Sequence, residues 1–303
     1  MKKLILSCTL FLFSLITLAQ SAQEYSEFAK ASFNIESYNS AIGYFTKAIE
    51  LEPYNEKFYI GRGFSKFNLK DYYGAIIDFN RVVELNPKHG LAYYMRGESF
   101  YYLNNFDKAL NDFNKAIENG QVNASSYAYR GIMNKLLKHF TDALIDFDKS
   151  INITPEFSEA YFERGDTKLY LKDYDGAIND FEFFIKEFPT NFKAFFLIGY
   201  ANIKLNKYKE SIFFLNKSIK LDTTFSESYF NKGIALLHLE DFNGAINNFD
   251  IVLNTNPEYN FAYFLRGNAK FKLKDKKGAC LDWSEAIIFG YRDDNGYIKK
   301  KCK

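Results

Sequence analysis

The chain has 303 residues, of which 33 are phenylalanine and 23 are tyrosine, and so many large rings need buried positions, which excludes a disordered chain. Removing residues 1–19 takes away two of the 39 basic side chains and none of the 37 acidic ones, which leaves equal numbers of each charge. Nucleic acid is bound mainly through an excess of lysine and arginine, so the composition argues against a nucleic-acid partner.

The N-terminal residues have the pattern of a secretory signal peptide. Two lysines precede an apolar run from Leu4 to Leu18, which is too short for the roughly 20 residues of a membrane span. We therefore expect residues 1–21 to be a signal peptide. With a composition rich in Asn, Lys, Phe and Tyr, this indicates an exported protein, periplasmic or secreted, of a bacterial envelope. The alternative is an uncleaved anchor, and only then would the protein contact a membrane.

From residue 22 onward the chain repeats every 34 residues without insertion or deletion. An alanine, replaced once by serine, marks the same place in each copy, at Ala41, Ala75, Ala109, Ala143, Ala177, Ser211, Ala245 and Ala279. A small residue lies twelve positions before each of these, at Ala29, Gly63, Gly97, Gly131, Gly165, Gly199, Gly233 and Gly267. Every proline of the chain lies twelve positions after one, at Pro53, Pro87, Pro155, Pro189 and Pro257.

Each copy is interpreted as two helices joined by a short turn. Lys57–Leu69 has apolar residues at helical spacing, and Asp71 suits the start of a second helix. A glycine in the middle of a helix costs about 1 kcal/mol, so Gly63 predicts a close approach of the two antiparallel helices opposite Ala75. A single pair buries too little apolar surface to be stable, whereas stacked copies cover one another.

This spacing of glycine, alanine and proline resembles the tetratricopeptide repeat. The resemblance implies an all-α fold, a right-handed α-solenoid of eight helix–turn–helix repeats with a short C-terminal capping segment at 294–303. It also implies a non-enzymatic scaffold for protein–protein interaction, with a protein or peptide as its partner. The expected repeats span 22–293, at 22–55, 56–89, 90–123, 124–157, 158–191, 192–225, 226–259 and 260–293.

An arginine at the seventh position of most repeats is followed sixteen residues later by an aspartate. Where one is lost the other changes too, as in Lys232 and Asn248. We therefore predict an ion pair between the two helices of five repeats. The pairs are Arg62 with Asp78, Arg96 with Asp112, Arg130 with Asp146, Arg164 with Asp180, and Arg266 with Asp282.

Proteins of this family line a concave groove with their first helices, which makes the fifth and ninth residues of those helices candidates for partner binding. The candidates are Ile60, Phe64, Tyr94, Glu98, Phe162, Asp166, Phe196, Tyr200, Phe230, Ile234, Phe264 and Asn268. Such an aromatic groove suits a peptide or an amphipathic helix. The clamp with which some relatives hold a carboxylate is absent, because aromatic residues replace its lysine, asparagine and arginine. The alternative is that several of these rings pack between neighbouring repeats.

Two further features concern the fifth, sixth and last repeats. Phe183 and Phe213 occupy positions that are polar in most other repeats, which indicates either local repacking of the core or a convex contact patch. Cys280 and Cys302 would form a disulfide if the protein is exported, tying the capping segment to the last repeat. The alternative is a buried thiol in the last repeat and a free one at the chain end.

The sequence shows no pattern typical of catalysis. The three histidines lie at unrelated positions of the repeat, and no metal site, phosphate loop or nucleophile motif is present. We therefore expect no cofactor, no metal and no small-molecule substrate. Two alternatives to an envelope assembly scaffold stay open: a periplasmic chaperone or assembly factor with transient clients, and an enzyme whose site is built from scattered residues.

Overall fold

The computed structural model describes residues 21–294 and 296–302, so the predicted signal peptide lies outside the described residues except for Ser21. The described chain contains seventeen helices and no strand, which confirms the all-helical fold. The helices of the first four repeats are α1 Ala22–Asn34, α2 Tyr38–Leu51, α3 Glu56–Asn68, α4 Tyr72–Leu85, α5 Gly90–Tyr102, α6 Phe106–Glu118, α7 Ala124–Leu136 and α8 Phe140–Ile153. The others are α9 Ser158–Tyr170, α10 Tyr174–Glu187, α11 Phe192–Lys204, α12 Tyr208–Leu221, α13 Ser226–His238, α14 Phe242–Thr255, α15 Asn260–Lys272, α16 Lys276–Ile288 and α17 Tyr297–Lys301.

The chain divides between Thr154 and Pro155 into two compact units. The first unit contains α1–α8 and the second contains α9–α17. Within each unit the helices of a repeat form a hairpin, and the second helix of one hairpin packs on the first helix of the next. Each unit is therefore a stack in which one hairpin covers the open face of its neighbour.

The turn inside each hairpin contains one residue with positive φ, and in five of the eight hairpins a side chain caps the second helix. After α3 ends at Asn68, Lys70 adopts a φ of 62°, and the Asp71 carboxylate accepts a hydrogen bond from the amide of Gly74 at 2.9 Å. A Cβ on Gly74 would lie 2.7 Å from the carboxylate carbon of Asp71, so a larger residue here would require that carboxylate to shift. The same cap explains why aspartate and glycine recur three residues apart, at Asp173 with Gly176, Asp241 with Gly244, and Asp275 with Gly278.

The glycine of the first helix makes room for a ring. A Cβ on Gly63 would lie 2.7 Å from the fully buried ring of Phe79, four residues after Ala75. The predicted close approach is therefore correct in position, but the group that needs the space is this side chain, since Ala75 does not make the nearest contact. The corresponding core residues of the later repeats are Phe113, Phe147, Phe181, Leu215, Phe249 and Trp283, all fully buried.

Ser211 of the sixth repeat replaces the alanine that the other seven repeats have at this position. Its hydroxyl is fully buried without a hydrogen-bond partner among the described protein atoms. An unsatisfied buried polar group costs about 1–3 kcal/mol. Ser211→Ala is therefore expected to raise the free energy of unfolding by that amount, measured by urea denaturation. Ser218→Ala is the matched control, because Ser218 shares a buried hydrogen bond of 2.8 Å with Ser228 and its removal should destabilise the protein. Equal effects of the two substitutions would contradict this reading of Ser211.

Candidate functional site

The sequence-predicted groove residues lie at the border between the core and the surface. Their rings contact core rings: the centroids of Phe64 and Phe79 are 6.0 Å apart, and those of Phe162 and Phe181 are 5.5 Å apart. These side chains are half-buried. The alternative prediction, that the groove rings pack against neighbouring residues and are not freely exposed, is therefore correct in part. The half-buried candidates are Ile60, Phe64, Tyr94, Phe162, Asp166, Phe196, Tyr200, Ile234, Phe264 and Asn268.

Phe230 is a correction to the predicted groove. Its side chain is only 9% exposed and packs between Phe249 and Tyr259, whose ring centroid lies 4.9 Å away. Phe230 therefore belongs to the core and does not line a groove.

A groove of about 360 Å³ opens between α1 and α3 in the first unit. Ile60 and Phe64, both predicted groove residues, lie in its wall. Its other lining residues were not singled out from the sequence, and they combine rings with amides and two lysines. They are Gln23, Ser26, Lys30, Phe33, Asn34, Phe45, Asn55, Lys57, Phe58 and Gly61.

Two positions near the groove differ in size from their equivalents in the other repeats. Ala29 stands where the other repeats have the glycine that accommodates their core ring. Phe45, the core ring of the first repeat, lies against Gly61 of α3, where any Cβ would collide with it. At the position of Gly61 the later repeats carry larger side chains, at Met95, Tyr129, Glu163, Leu197, Asn231 and Leu265. A glycine at this position is the sequence feature that could have indicated the groove, and the sequence analysis did not use it.

A second notable set of residues surrounds Glu98 on α5. Glu98 is 9% exposed, and Tyr94 and Tyr129 are the residues whose hydroxyls act on its carboxylate. Burial raises the pKa of Glu98, although both hydroxyls act to lower it. The pKa values of Tyr94 and Tyr129 are raised by burial and by the nearby carboxylate, so both hydroxyls keep their protons and act as donors. These contacts fix the orientation of both rings on the first-helix side of the first unit.

The structure brings together all five predicted ion pairs. In the third repeat Arg96 holds both oxygens of Asp112, with Nε–Oδ2 and Nη2–Oδ1 distances of 2.7 Å. The other shortest distances are 2.7 Å for Arg62–Asp78 and 2.6 Å for Arg130–Asp146, Arg164–Asp180 and Arg266–Asp282. All five aspartates are buried, so these pairs belong to the interior of the hairpins.

The arginines also reach the preceding repeat, which the sequence did not predict. The remaining guanidinium nitrogen Nη1 of Arg96 donates to Asn80 at 2.7 Å, and that of Arg62 donates to Thr46 at 3.1 Å. The same contact joins Arg130 to Asn114 and Arg266 to Asp250. Each of these arginines therefore joins two helices of its own hairpin and the second helix of the hairpin before it.

Phe183 and Phe213 have different surroundings. The ring of Phe183 is half-buried and stacks on Tyr161 with a centroid separation of 3.9 Å. Phe213 is 55% exposed, and the ammonium group of Lys217 lies 4.4 Å from its ring centroid. Local repacking therefore accounts for Phe183, while Phe213 alone offers an exposed ring to a partner.

The last repeat and the capping helix share a small core. Cys280 and Cys302 are joined by a disulfide, with a Cα–Cα distance of 5.7 Å. Ile298 of α17 is buried against Trp283, whose indole nitrogen donates to Asn268 at 3.1 Å. The hydrogen bond places the predicted groove residue Asn268 in contact with the core tryptophan.

The described residues include no group of three or more His, Cys, Asp or Glu side chains placed to hold a metal ion. Across 21–294 and 296–302, no helix is both long enough and apolar enough to cross a membrane.

Comparison with known families and structures supports the repeat. Models of the tetratricopeptide repeat match residues 56–89, 90–119 and 192–225. A search of curated protein sequences found no significant match. Among solved structures, YrrB, a tetratricopeptide repeat protein with an unusual peptide-binding site, is 21% identical, with 61% of this chain and 95% of that chain covered and a TM-score of 0.56.

Two further structures are similar over a larger share of the chain. The C-terminal part of a tetratricopeptide repeat protein from Cytophaga hutchinsonii is 16% identical, with 80% of this chain and 98% of that chain covered and a TM-score of 0.63. A tetratricopeptide repeat protein from Parabacteroides merdae is 20% identical, with 82% and 97% covered and a TM-score of 0.57. These similarities show the fold. Together with the matched repeats they confirm the family resemblance of the sequence: the chain carries tetratricopeptide repeats, a repeat that mediates protein–protein interactions.

Proposed function

We propose that this protein binds a segment of another protein along the first-helix faces of its units, without catalysis, as an exported component of a bacterial envelope. The observation that carries the proposal is the α1–α3 groove, where Ile60 and Phe64 are partly exposed beside a cavity of about 360 Å³. Half-buried apolar side chains around a preformed cavity are typical of peptide-binding sites. The peptide-binding site reported for YrrB is in keeping with this use of the fold.

Export is part of the proposal. The signal-like N-terminal residues and the Cys280–Cys302 disulfide are both typical of proteins that fold outside the cytoplasm. We further propose that the partner belongs to an envelope complex whose assembly this protein supports. The periplasm is the compartment that fits both features.

The proposal is tested by affinity capture from envelope extract, with the full chain and with two variants that place a charge on a first-helix face. Ile60→Glu changes the first unit and Tyr200→Glu changes the second. Ile77→Glu is the control, because Ile77 is exposed on the second helix of its hairpin. We expect one stoichiometric complex that Ile77→Glu retains and that at least one groove variant loses. A complex that both groove variants retain would overturn the proposal.

The same experiment separates the chaperone alternative. A chaperone with transient clients would return many unfolded proteins in small amounts, and these would be released by competing unfolded protein. A scaffold returns a defined set in fixed proportion.

A further inference from the structure

We propose that the α1–α3 groove takes one large apolar side chain from a partner segment in which acidic residues flank that side chain. The inference rests on the proposed function and names the chemistry of the partner at one site. Its basis is the conjunction of a cavity that several rings help to line with charged lining residues that are all lysines.

The apolar part of the site lies beside Gly61 and the ring of Phe45 that packs on it. Phe33 of α1, Phe45 of α2, and Ile60 and Phe64 of α3 line the cavity. At about 360 Å³ the cavity lies at the small end of the range of about 300–1,000 Å³ for ligand sites. It therefore suits a single large side chain better than a whole helix.

The equivalent place is filled in the later hairpins of the first unit. Met95 packs against Phe79, the core ring of the repeat before it. Tyr129 stacks on Phe113 with centroids 5.5 Å apart. At Gly61 the ring of Phe45 takes up the space that a Cβ would need, and no larger side chain extends from this position into the groove beside it.

The rim of the groove favours negative charge. Lys30 and Lys57, on opposite helices, are its two charged lining residues, and no acidic residue lines the cavity. Lys30 forms an ion pair of 2.9 Å with Glu27, in which both side chains are more than half exposed. Exposed pairs of this kind contribute little, so a partner carboxylate can replace Glu27 at small cost. Two lysines on opposite rims indicate acidic residues on both sides of the bound apolar side chain.

The test uses three fluorescein-labelled peptides and the full chain, with binding followed by fluorescence anisotropy. The peptides are Ser-Gly-Asp-Phe-Asp-Gly-Ser, the same sequence with Lys in place of Asp, and the same sequence with Ala in place of Phe. The first peptide is expected to bind roughly tenfold more tightly than either of the others. Added salt should weaken its binding, since the rim charges are exposed.

Three variants locate the binding. Gly61→Leu introduces a side chain that the ring of Phe45 must move to accommodate, which changes the wall of the groove, and Lys57→Glu reverses a rim charge without touching the core. Each is expected to weaken binding of the Asp-Phe-Asp peptide roughly tenfold. Gly43→Leu is the matched control, because nothing lies within 4 Å of a Cβ at Gly43 and it does not line the groove. Circular dichroism checks folding, and if Gly61→Leu does not fold, Lys57→Glu alone decides.

Three results would overturn the inference: equal binding of the acidic and basic peptides, binding unaffected by the variants, or no binding of the Asp-Phe-Asp peptide at up to about 1 mM protein. The proposed function survives any of these if the captured complex is still lost in Ile60→Glu or Tyr200→Glu. The two proposals therefore fail separately.

Discussion

Replacing Arg96 by alanine is expected to lower the free energy of unfolding by about 3–5 kcal/mol, because it leaves a buried carboxylate without its cation. Asp112 is almost fully buried, and Arg96 is the one cation that contacts it among the described residues. The loss also removes the hydrogen bond from Arg96 to Asn80 in the preceding hairpin. Urea denaturation followed by circular dichroism measures the effect.

The second repeat supplies a matched control. Asp78 forms a salt bridge of 2.7 Å with Arg62 and a second one of 2.8 Å with Lys66. Arg62→Ala therefore leaves Asp78 paired, and we expect a loss of only about 1.5–3 kcal/mol, the range for hydrogen bonds to a charged group. Equal losses for Arg62→Ala and Arg96→Ala would show that the buried charge is not the cause.

A double-mutant cycle adds an independent check. If Arg96 and Asp112 act through direct contact, the double alanine variant should lose much less than the sum of the two single variants. Additive losses would contradict a direct interaction. Residues as close as these normally show strong coupling.

Cys302→Ser is expected to destabilise the C-terminal repeat by about 3 kcal/mol, the loop-closure estimate for a disulfide of this span. The disulfide joins residues 22 apart and ties α17 to α16. Trp283, the single tryptophan of the chain, is fully buried and lies 5.6 Å from the ring of Tyr297 on α17. Its fluorescence therefore reports on this region alone during urea denaturation.

Reduction provides the control for the cysteine variant. Dithiothreitol should lower the urea midpoint of the wild-type protein to that of Cys302→Ser and leave the variant unchanged. Alkylation of the protein isolated from cells, read by mass spectrometry, should find both cysteines protected until they are reduced. Free thiols at both positions would contradict the disulfide and weaken the proposal of export.

The 34-residue spacing predicted the helices and the ion pairs because both depend on position along the chain. Spacing of 34 residues places Arg96 and Asp112 on facing sides of one hairpin whatever the neighbouring residues are. Helix caps are equally local, since Asp71 and Gly74 lie three residues apart. Features of this kind need no knowledge of how hairpins pack on one another.

The groove could not be predicted from the 34-residue spacing alone. The position of a residue within the 34-residue repeat gives the helix face on which it lies. The direction of its ring, in contrast, depends on the neighbouring side chains in the next hairpin. Phe45 packs against Gly61 of the next hairpin, where the later repeats have larger side chains. Phe230 is covered by Tyr259, although Ile60 at the equivalent position stays partly exposed.

Each hairpin should be stable only when its neighbours cover it, and a series of C-terminal fragments tests this most directly. Fragments 260–303, 226–303, 192–303 and 158–303 contain one to four repeats of the second unit and share Trp283 as a reporter. Under reducing conditions the one-repeat fragment should be unfolded, and the urea midpoint of Trp283 fluorescence should rise with each repeat added. The same midpoint in all four fragments would show that each hairpin is stable alone, contrary to this account.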